Sequence, residues 1–318
     1  MRISTNTIYQ SGISKISQLQ SEQVKLQQQI STGRRIASPS DDPVGSARAL
    51  EVSHAQSINA KFADTRQTAQ LKLNTIESNL TSLTSMMIST QSSLVAAGNA
   101  TFSDQERQFI ATELSGTLEA MIGLANTKDA AGNYLYAGFK TNTPPFDGTK
   151  NLAAPIPPAV TPTIVSSYNF KGDGNQQLLQ VDTERQMAVN VTGNNVFQAG
   201  GNDIFATISN LVTLLNTPLT AANQADFSAG IAAGIGSMQT GLDNVLNVRA
   251  AVGSKLNELD TLDTAGTDRD LQYSKSLSEL QDLDYASALS DLSRNQTIME
   301  AAQKSFVATT SLSLFDFI

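Results

Sequence analysis

Residues 69–97 read AQLKLNTIESNLTSLTSMMISTQSSLVAA, and their spacing decides the fold. Ala69, Leu73, Ile76, Leu80, Leu83, Met87, Thr90, Leu94 and Ala97 recur at intervals of three and four, which lays one stripe along a helix. Ile58 and Phe62 extend the series upstream, and no Pro interrupts residues 44–97. At ~1.5 Å per residue a single helix of that length runs about 80 Å, as coiled-coil and bundle helices do. Gly98-Asn99 predicts its end. Ser103-Asp104-Gln105-Glu106 reads as a capping box opening a second helix, with Ile110, Leu114, Met121 and Leu124 on its apolar face and Lys128 near its end. Two antiparallel helices joined by a short turn are expected.

Working outward, both ends of the chain carry similar stripes. Tyr9, Gly12, Ile16, Leu19, Gln23, Leu26, Ile30 and Gly33 form one, and Leu289, Leu292, Gln296, Met299, Gln303 and Phe306 form the other. Neither can bury its stripe alone. The Gly and Gln interruptions predict helices that are marginal in isolation and order on association. The pairing is expected to rest on Ile16, Leu19, Leu26 and Ile30 from one end and Leu289, Leu292, Met299 and Phe306 from the other. Gln23 and Gln296 either lie slightly off the seam or set register at some cost in stability. In the middle, Ile204, Ile208, Leu211 and Leu215 predict a helix ending near Pro218. A longer one follows from Phe227, with a seam at Leu242, Val245, Arg249, Val252, Leu256 and Leu259. Ala265-Gly266-Thr267 predicts a break within residues 261–270.

Residues 138–205 have a different character. Pro144, Pro145, Pro155, Pro157, Pro158 and Pro162 exclude helix from their stretch. Residues 133–139 read as a strand start, and Tyr168-Asn169-Phe170 as a strand that turns at Lys171-Gly172-Asp173-Gly174 to pair with residues 179–181. A β-like rhythm continues through Met187–Val191 and Gly193-Asn194-Asn195. The expected fold is mainly α, an elongated helical rod with paired N- and C-terminal helices and a small β-rich inserted domain. Its parts are residues 1–43 with 285–318, a terminal coiled coil; 44–137 with 206–284, a long-helix bundle; and 138–205, an outer insertion whose residues 141–200 should be dispensable.

Composition excludes several functions. The 318 residues contain no Cys, no Trp and one His, with a formal net charge of −8. Absence of Cys removes disulfides, thiolate catalysis and iron–sulfur centres. A lone His54 gives no foothold for a catalytic triad or a His-based metal site, and reads as a packed or solvated residue. No basic patch suggests nucleic acid, no run reaches the ~20 apolar residues of a membrane span, and Met1-Arg2-Ile3-Ser4-Thr5-Asn6 lacks the apolar core of a cleavable signal. Gly234-Ile235-Gly236 lacks the third glycine of a dinucleotide fingerprint. Asp41-Asp42, between Pro39 and Pro43, reads as a helix cap, with a cation site as the alternative. Neither a catalytic site, a cofactor nor a metal is expected.

Two further motifs carry a family resemblance. Ile30-Ser31-Thr32-Gly33-Arg34-Arg35-Ile36-Ala37-Ser38-Pro39-Ser40-Asp41-Asp42-Pro43 resembles the N-terminal signature of the bacterial flagellin superfamily. Asp282-Leu283-Asp284-Tyr285-Ala286, followed by Ser293-Arg294, resembles its C-terminal signature, and the seam around Arg249 and Gly253 agrees. Gly33, Arg34, Asp41, Asp42, Arg249, Asp282, Asp284 and Tyr285 are the signature residues. Val44-Gly45 after Asp42-Pro43, where flagellins usually have alanines, and the ending Leu314-Phe315-Asp316-Phe317-Ile318 depart from filament subunits. Tyr134-Leu135-Tyr136-Ala137-Gly138, Thr143-Pro144-Pro145-Phe146 and Gly193-Asn194-Asn195-Val196-Phe197 are instead similar to junction proteins between hook and filament. Flagellin itself is the alternative; an adhesin or secreted enzyme on the same scaffold is a more distant one, with Tyr168 or Phe170 as candidate glycan contacts.

The resemblance implies a structural protein, exported unfolded by the flagellar type III apparatus without a cleaved signal. It implies a cytoplasmic export chaperone bound near the C-terminus. It further implies self-assembly into a tubular layer outside the cell, against a neighbouring hook-associated junction protein and flagellin.

Overall fold

The computed structural model describes residues 5–99, 102–147 and 168–311. Pro155, Pro157, Pro158, Pro162 and the terminal residues 314–318 lie outside them. Contacts gather the chain into two compact units, one of residues 1–60 with 267–318 and one of 61–266. Both divisions fall inside long helices. The expected boundary at 284/285 falls instead at the start of a helix, Tyr285–Ser311, and that at 43/44 one residue inside the start of another, Pro43–Ala97.

Helix α1 is Thr5–Thr32 and α2 is Pro43–Ala97, 55 residues without a break. The stripe that predicted α2 is its buried face. Ala69, Leu73, Ile76, Leu80, Leu83, Met87, Leu94 and Ala97 are each at most 1% exposed. Gly98 ends the helix, its N–H donating to the Leu94 carbonyl. The capping box then forms as read: Ser103 Oγ accepts from Glu106 N, and Glu106 Oε2 accepts from Ser103 N at 2.7 Å. It opens α3, Asp104–Ala125, which packs on α5, Ile204–Asn216. Helix α6, Gln224–Gln281, adds Phe227, Ile231, Met238, Val245, Val252 and Leu259 to the same apolar core. Gly234, no part of a nucleotide fingerprint, is where Leu211 seats against α6 without a Cβ in the way.

Four expectations for local structure are overturned. Residues 133–139 are turns, paired only where Tyr134 bridges Lys128. Leu135, Tyr136 and Ala137 are buried in succession, so no two-residue alternation exists, and Gly138 turns the chain at φ +70°. Strand β2, Asn169–Phe170, pairs with β1, Phe146–Asp147, while β3, Leu178–Asp182, pairs with β4, Arg185–Ala188. The loop at 171–174 therefore does not close a hairpin. Gly193-Asn194-Asn195 opens α4, Gly193–Phe197, rather than continuing a strand.

The fourth correction concerns residues 261–270, which are uninterrupted helix. Gly266 is there for space. The fully buried guanidinium of Arg66, on α2, lies against it, donating from Nε to Asp263 at 3.0 Å and from Nη1 to the Val181 carbonyl at 3.3 Å. A side chain at 266 would displace a buried, hydrogen-bonded cation. Gly266→Val is therefore expected to cost about 1–3 kcal/mol, read as a lower urea midpoint with an unchanged slope; an unchanged midpoint would contradict this packing.

The insertion is also more deeply rooted than expected. Phe146 packs its ring 5.0 Å from Phe205 and 5.5 Å from Phe197, and Tyr168 lies 5.5 Å from Phe205. Val181, Met187, Val196 and Phe197 join the same core. Excising residues 141–200 would take Phe146, Tyr168, Val181, Met187, Val196 and Phe197 out of that core, which argues against their being dispensable. Tyr168 is only 3% exposed, which leaves its ring unavailable to a glycan, while Phe170 is half-buried with its ring against Phe146.

Candidate functional site

The first unit holds the terminal helices. Helix α7, Tyr285–Ser311, packs on α1. Each terminal stripe thus finds a partner within the chain, whereas the spacing alone predicted order only on association. Near the free ends of the pair, the Tyr9 and Phe306 rings stand 5.2 Å apart, and Phe306 rests on the bare backbone of Gly12. Ile16, Leu19, Leu26 and Ile30 of α1 and Leu292, Met299 and Phe306 of α7 are half-buried. Leu289 is 53% exposed and lies off the seam. The inward face of α7 is Ala288, Leu292, Asn295, Met299, Ala302 and Phe306, again spaced by four and three. Gln296 and Gln303 face outward, while Gln23 of α1 is half-buried on its seam. Asn295 is the polar residue the sequence reading missed, because a neighbouring Gln fitted the pattern drawn through Leu289.

At the other end of the pair the two signatures meet. Gly33 leaves α1 at φ +69°, a left-handed conformation that glycine adopts freely. Its carbonyl accepts from Leu283 N at 3.0 Å, and the Tyr285 hydroxyl lies where a Cβ on Gly33 would point. Arg34 and Asp282 form an antiparallel bridge, and Arg35 N donates to the Gln281 carbonyl at 2.7 Å. The Arg35 guanidinium reaches the Leu280 carbonyl at 2.8 Å and Asp42 at 3.3 Å. Asp284 caps α7, accepting from Ala286 N and Ser287 N. A small clasp thus joins segments about 250 residues apart in sequence, and it includes Gly33, Arg34, Asp42, Asp282, Asp284 and Tyr285. Of the remaining signature residues, Asp41 is held by Lys25 and Ser38 on the N-terminal side alone, and Arg249 stands apart. That residue lies in the second unit, where it ties α6 to α2 by donating to Glu77 at 2.9 and 2.6 Å.

The paired aspartates are structural. Asp42 Oδ1 accepts from Gly45 N at 2.8 Å and caps α2; Asp41 accepts from Ser38 N at 2.9 Å and pairs with Lys25 at 3.0 Å. The Gly45 N–H and then the Arg35 guanidinium hold Asp42 below the usual carboxylate range, and Lys25 and the Ser38 N–H do the same for Asp41. Among the described residues no group of three His, Cys, Asp or Glu could hold a metal ion. Because both folded-state values are depressed, these carboxylates stabilise the clasp fully above the ordinary aspartate range. That contribution fades as acid carries the pH through the lowered values. An NMR titration should give both carboxyls midpoints below 3.8, with Lys25→Met raising that of Asp41 but not that of Asp42. An unmoved Asp41 would show that the Lys25 pair is absent in solution.

Two paired terminal helices clasped at their signatures, with a long-helix unit beside them in sequence, define a flagellin-type chain. The profile of the bacterial flagellin N-terminal helical region matches residues 3–141. The chain is 33% identical to flagellar hook-associated protein 3 of Escherichia coli strain K12 over 331 residues, covering 99% of each. It is 33% identical to the protein of the same name from Salmonella typhimurium strain LT2 over 330 residues, again covering 99% of each. The flagellar hook-associated protein-3 structure from Legionella pneumophila shares the fold at a TM-score of 0.64 and 18% identity, covering 73% of this chain and 98% of that one. The chain belongs to the flagellar hook-associated protein 3 family. It is a structural component of the bacterial flagellum, and the reading as a filament subunit gives way. No helix among the described residues is long and apolar enough to cross a membrane.

Proposed function

We propose that this chain forms the layer of the hook–filament junction that adjoins the filament, with no catalytic role. The α1–α7 pair carries this reading: a two-helix seam, half-buried along most of its length, offers its remaining surface to further copies of itself. In the tube, residues 1–43 and 285–318 form the inner wall, 44–137 and 206–284 the surrounding shell, and 138–205 the outward face. Ile16, Leu19, Leu26, Ile30, Leu292, Met299 and Phe306 hold the pair together, and the exposed Leu289 meets a neighbouring copy. The junction partners are an adjoining hook-associated protein on one side and flagellin on the other. The chain reaches its place unfolded, through the flagellar export apparatus, escorted by a cytoplasmic chaperone bound near its C-terminus. Lack of Cys suits such a passage, since no thiol can be oxidised on emerging. Deleting the gene should leave intact hooks while flagellin escapes into the medium; normal filaments in that strain would refute the proposal.

A further inference from the structure

We infer that Gln23 and Asn295 form a single amide layer in the α1–α7 seam, and that this layer decides the partner of α7. It holds α7 to α1 and keeps it from pairing with the α7 of another copy. Choice of partner matters wherever copies of this chain meet, whichever layer of the flagellum they build.

The register follows from contacts at both ends of the pair. Phe306 rests on Gly12 and the Tyr285 hydroxyl lies against Gly33, so the two helices run antiparallel. Phe306 stands eleven residues after Asn295, and Gly12 eleven before Gln23. Tyr285 stands ten before Asn295, and Gly33 ten after Gln23. Helices of equal rise therefore set Asn295 opposite Gln23 when counted from either end. The same register places Leu292 opposite Leu26 and Met299 opposite Leu19, one layer to each side. Beyond these, the small Ala288 and Ala302 fall opposite Ile30 and Ile16, so large meets small as Phe306 meets Gly12. Each of these facing positions, from 12 to 30 and from 288 to 306, is half-buried or buried, as a shared seam requires.

Asn295 is 8% exposed, more buried than Leu292 or Met299, and its Oδ1 accepts no hydrogen bond from the described residues. A buried amide is costly unless it is paired, and Gln23 carries the matching donor and acceptor. The clasp already fixes register at one end, which leaves the amide layer the choice of partner. From Asn295 the seam steps back three residues to Leu292 and forward four to Met299; from Gln23 it steps back four to Leu19 and forward three to Leu26. Opposed steps interlock antiparallel, and they bring amide onto amide. Two α7 helices have the same steps. Laid antiparallel with their seams aligned, they set Asn295 against a large apolar side chain, Leu292 or Met299, and strand one amide from each copy. Laid parallel, they crowd Phe306 against Phe306 and leave a void between Ala302 and Ala302. A single polar layer thus gives up some stability and gains a specific partner.

The absence of Cys makes a direct test available. Two purified full-length chains carry one thiol each, Ala288→Cys and Met299→Cys, at positions that face one another when two α7 helices pair antiparallel. Mixed and mildly oxidised with Asn295 in place, they should form little disulfide. Asn295→Leu in both chains should raise the 288–299 dimer about tenfold and speed hydrogen exchange across residues 16–30 by a similar factor. Gln23 then faces a leucine, while the seam between two α7 helices becomes wholly apolar. Adding Gln23→Leu should reverse both changes, because α1 and α7 then meet through apolar side chains. An unchanged dimer yield in the Asn295→Leu chains, or a rise that Gln23→Leu leaves in place, would overturn the layer's role. If residues 69–97 lose protection as well, the unaltered chain decides by NMR. A nuclear Overhauser contact between the Gln23 and Asn295 side-chain amides supports the layer, and its absence overturns it. These readouts use purified chain, so they stand apart from the gene-deletion test of the junction reading.

Discussion

Leu292→Ala combined with Phe306→Ala is expected to abolish incorporation at the hook tip while the protein is still secreted and residues 61–266 still fold. Both side chains lie on the inward stripe of α7, fourteen residues apart and hence on one line along the helix. Phe306 is the largest group on that stripe, filling the space left by Gly12 and meeting the Tyr9 ring. Truncating a fully buried Leu or Phe costs about 2–5 kcal/mol. Partial exposure in the single chain reduces that figure, and the remainder is felt only when neighbours cover the pair. Of the other members of that stripe, Ala288, Asn295, Met299 and Ala302, only Met299 is a large apolar group, so little is left with which to offset the loss. The core of the second unit draws on none of these residues. Immunogold labelling of hook ends, beside the amount of protein in the medium, checks the outcome; normal labelling would show that the α1–α7 pair is not part of the assembled wall.

Gly33→Val is expected to open the clasp without touching the long-helix core. A β-branched residue in the left-handed region costs about 1–3 kcal/mol, and its Cβ would come within 2.8 Å of the Tyr285 hydroxyl. The bonds at stake are those from Leu283 N to the Gly33 carbonyl and from Arg35 N to the Gln281 carbonyl. Gly33→Asn should be milder, because Asn tolerates positive φ. Hydrogen exchange should show peptides around 30–45 and 278–290 losing protection together in the Val variant, while 69–97 keep theirs. Loss confined to the first peptide would mean that the two signatures do not hold one another.

The long helices were legible because their apolar residues recur with the helical period and little else competes. Leu73 to Ala97 needed only counting. The misreadings have physical causes. Gly266 looked like a breaker because composition does not reveal that a glycine makes room for Arg66 from another helix. Leu135–Ala137 looked like strand because aromatic and branched residues suit both a sheet and a turn buried against helices. Asn295 was passed over for Gln296 because a stripe drawn through large side chains skips a small residue such as Ala288. The clasp was half legible: resemblance marked both signatures, but their joining rests chiefly on main-chain hydrogen bonds, which leave no trace in side-chain pattern. Its caps, Asp42 and Asp284, were visible as residue types and not as partners across the chain.

The measurement that bears most directly on the central claim is an electron cryomicroscopy map of the hook–filament junction at side-chain resolution. That map should show α1 and α7 of each copy side by side in the innermost wall, with the Tyr9 and Phe306 rings in contact and residues 33–35 hydrogen-bonded to 281–283. Terminal helices separated from one another in the assembled layer, or a junction layer built without this chain, would contradict it.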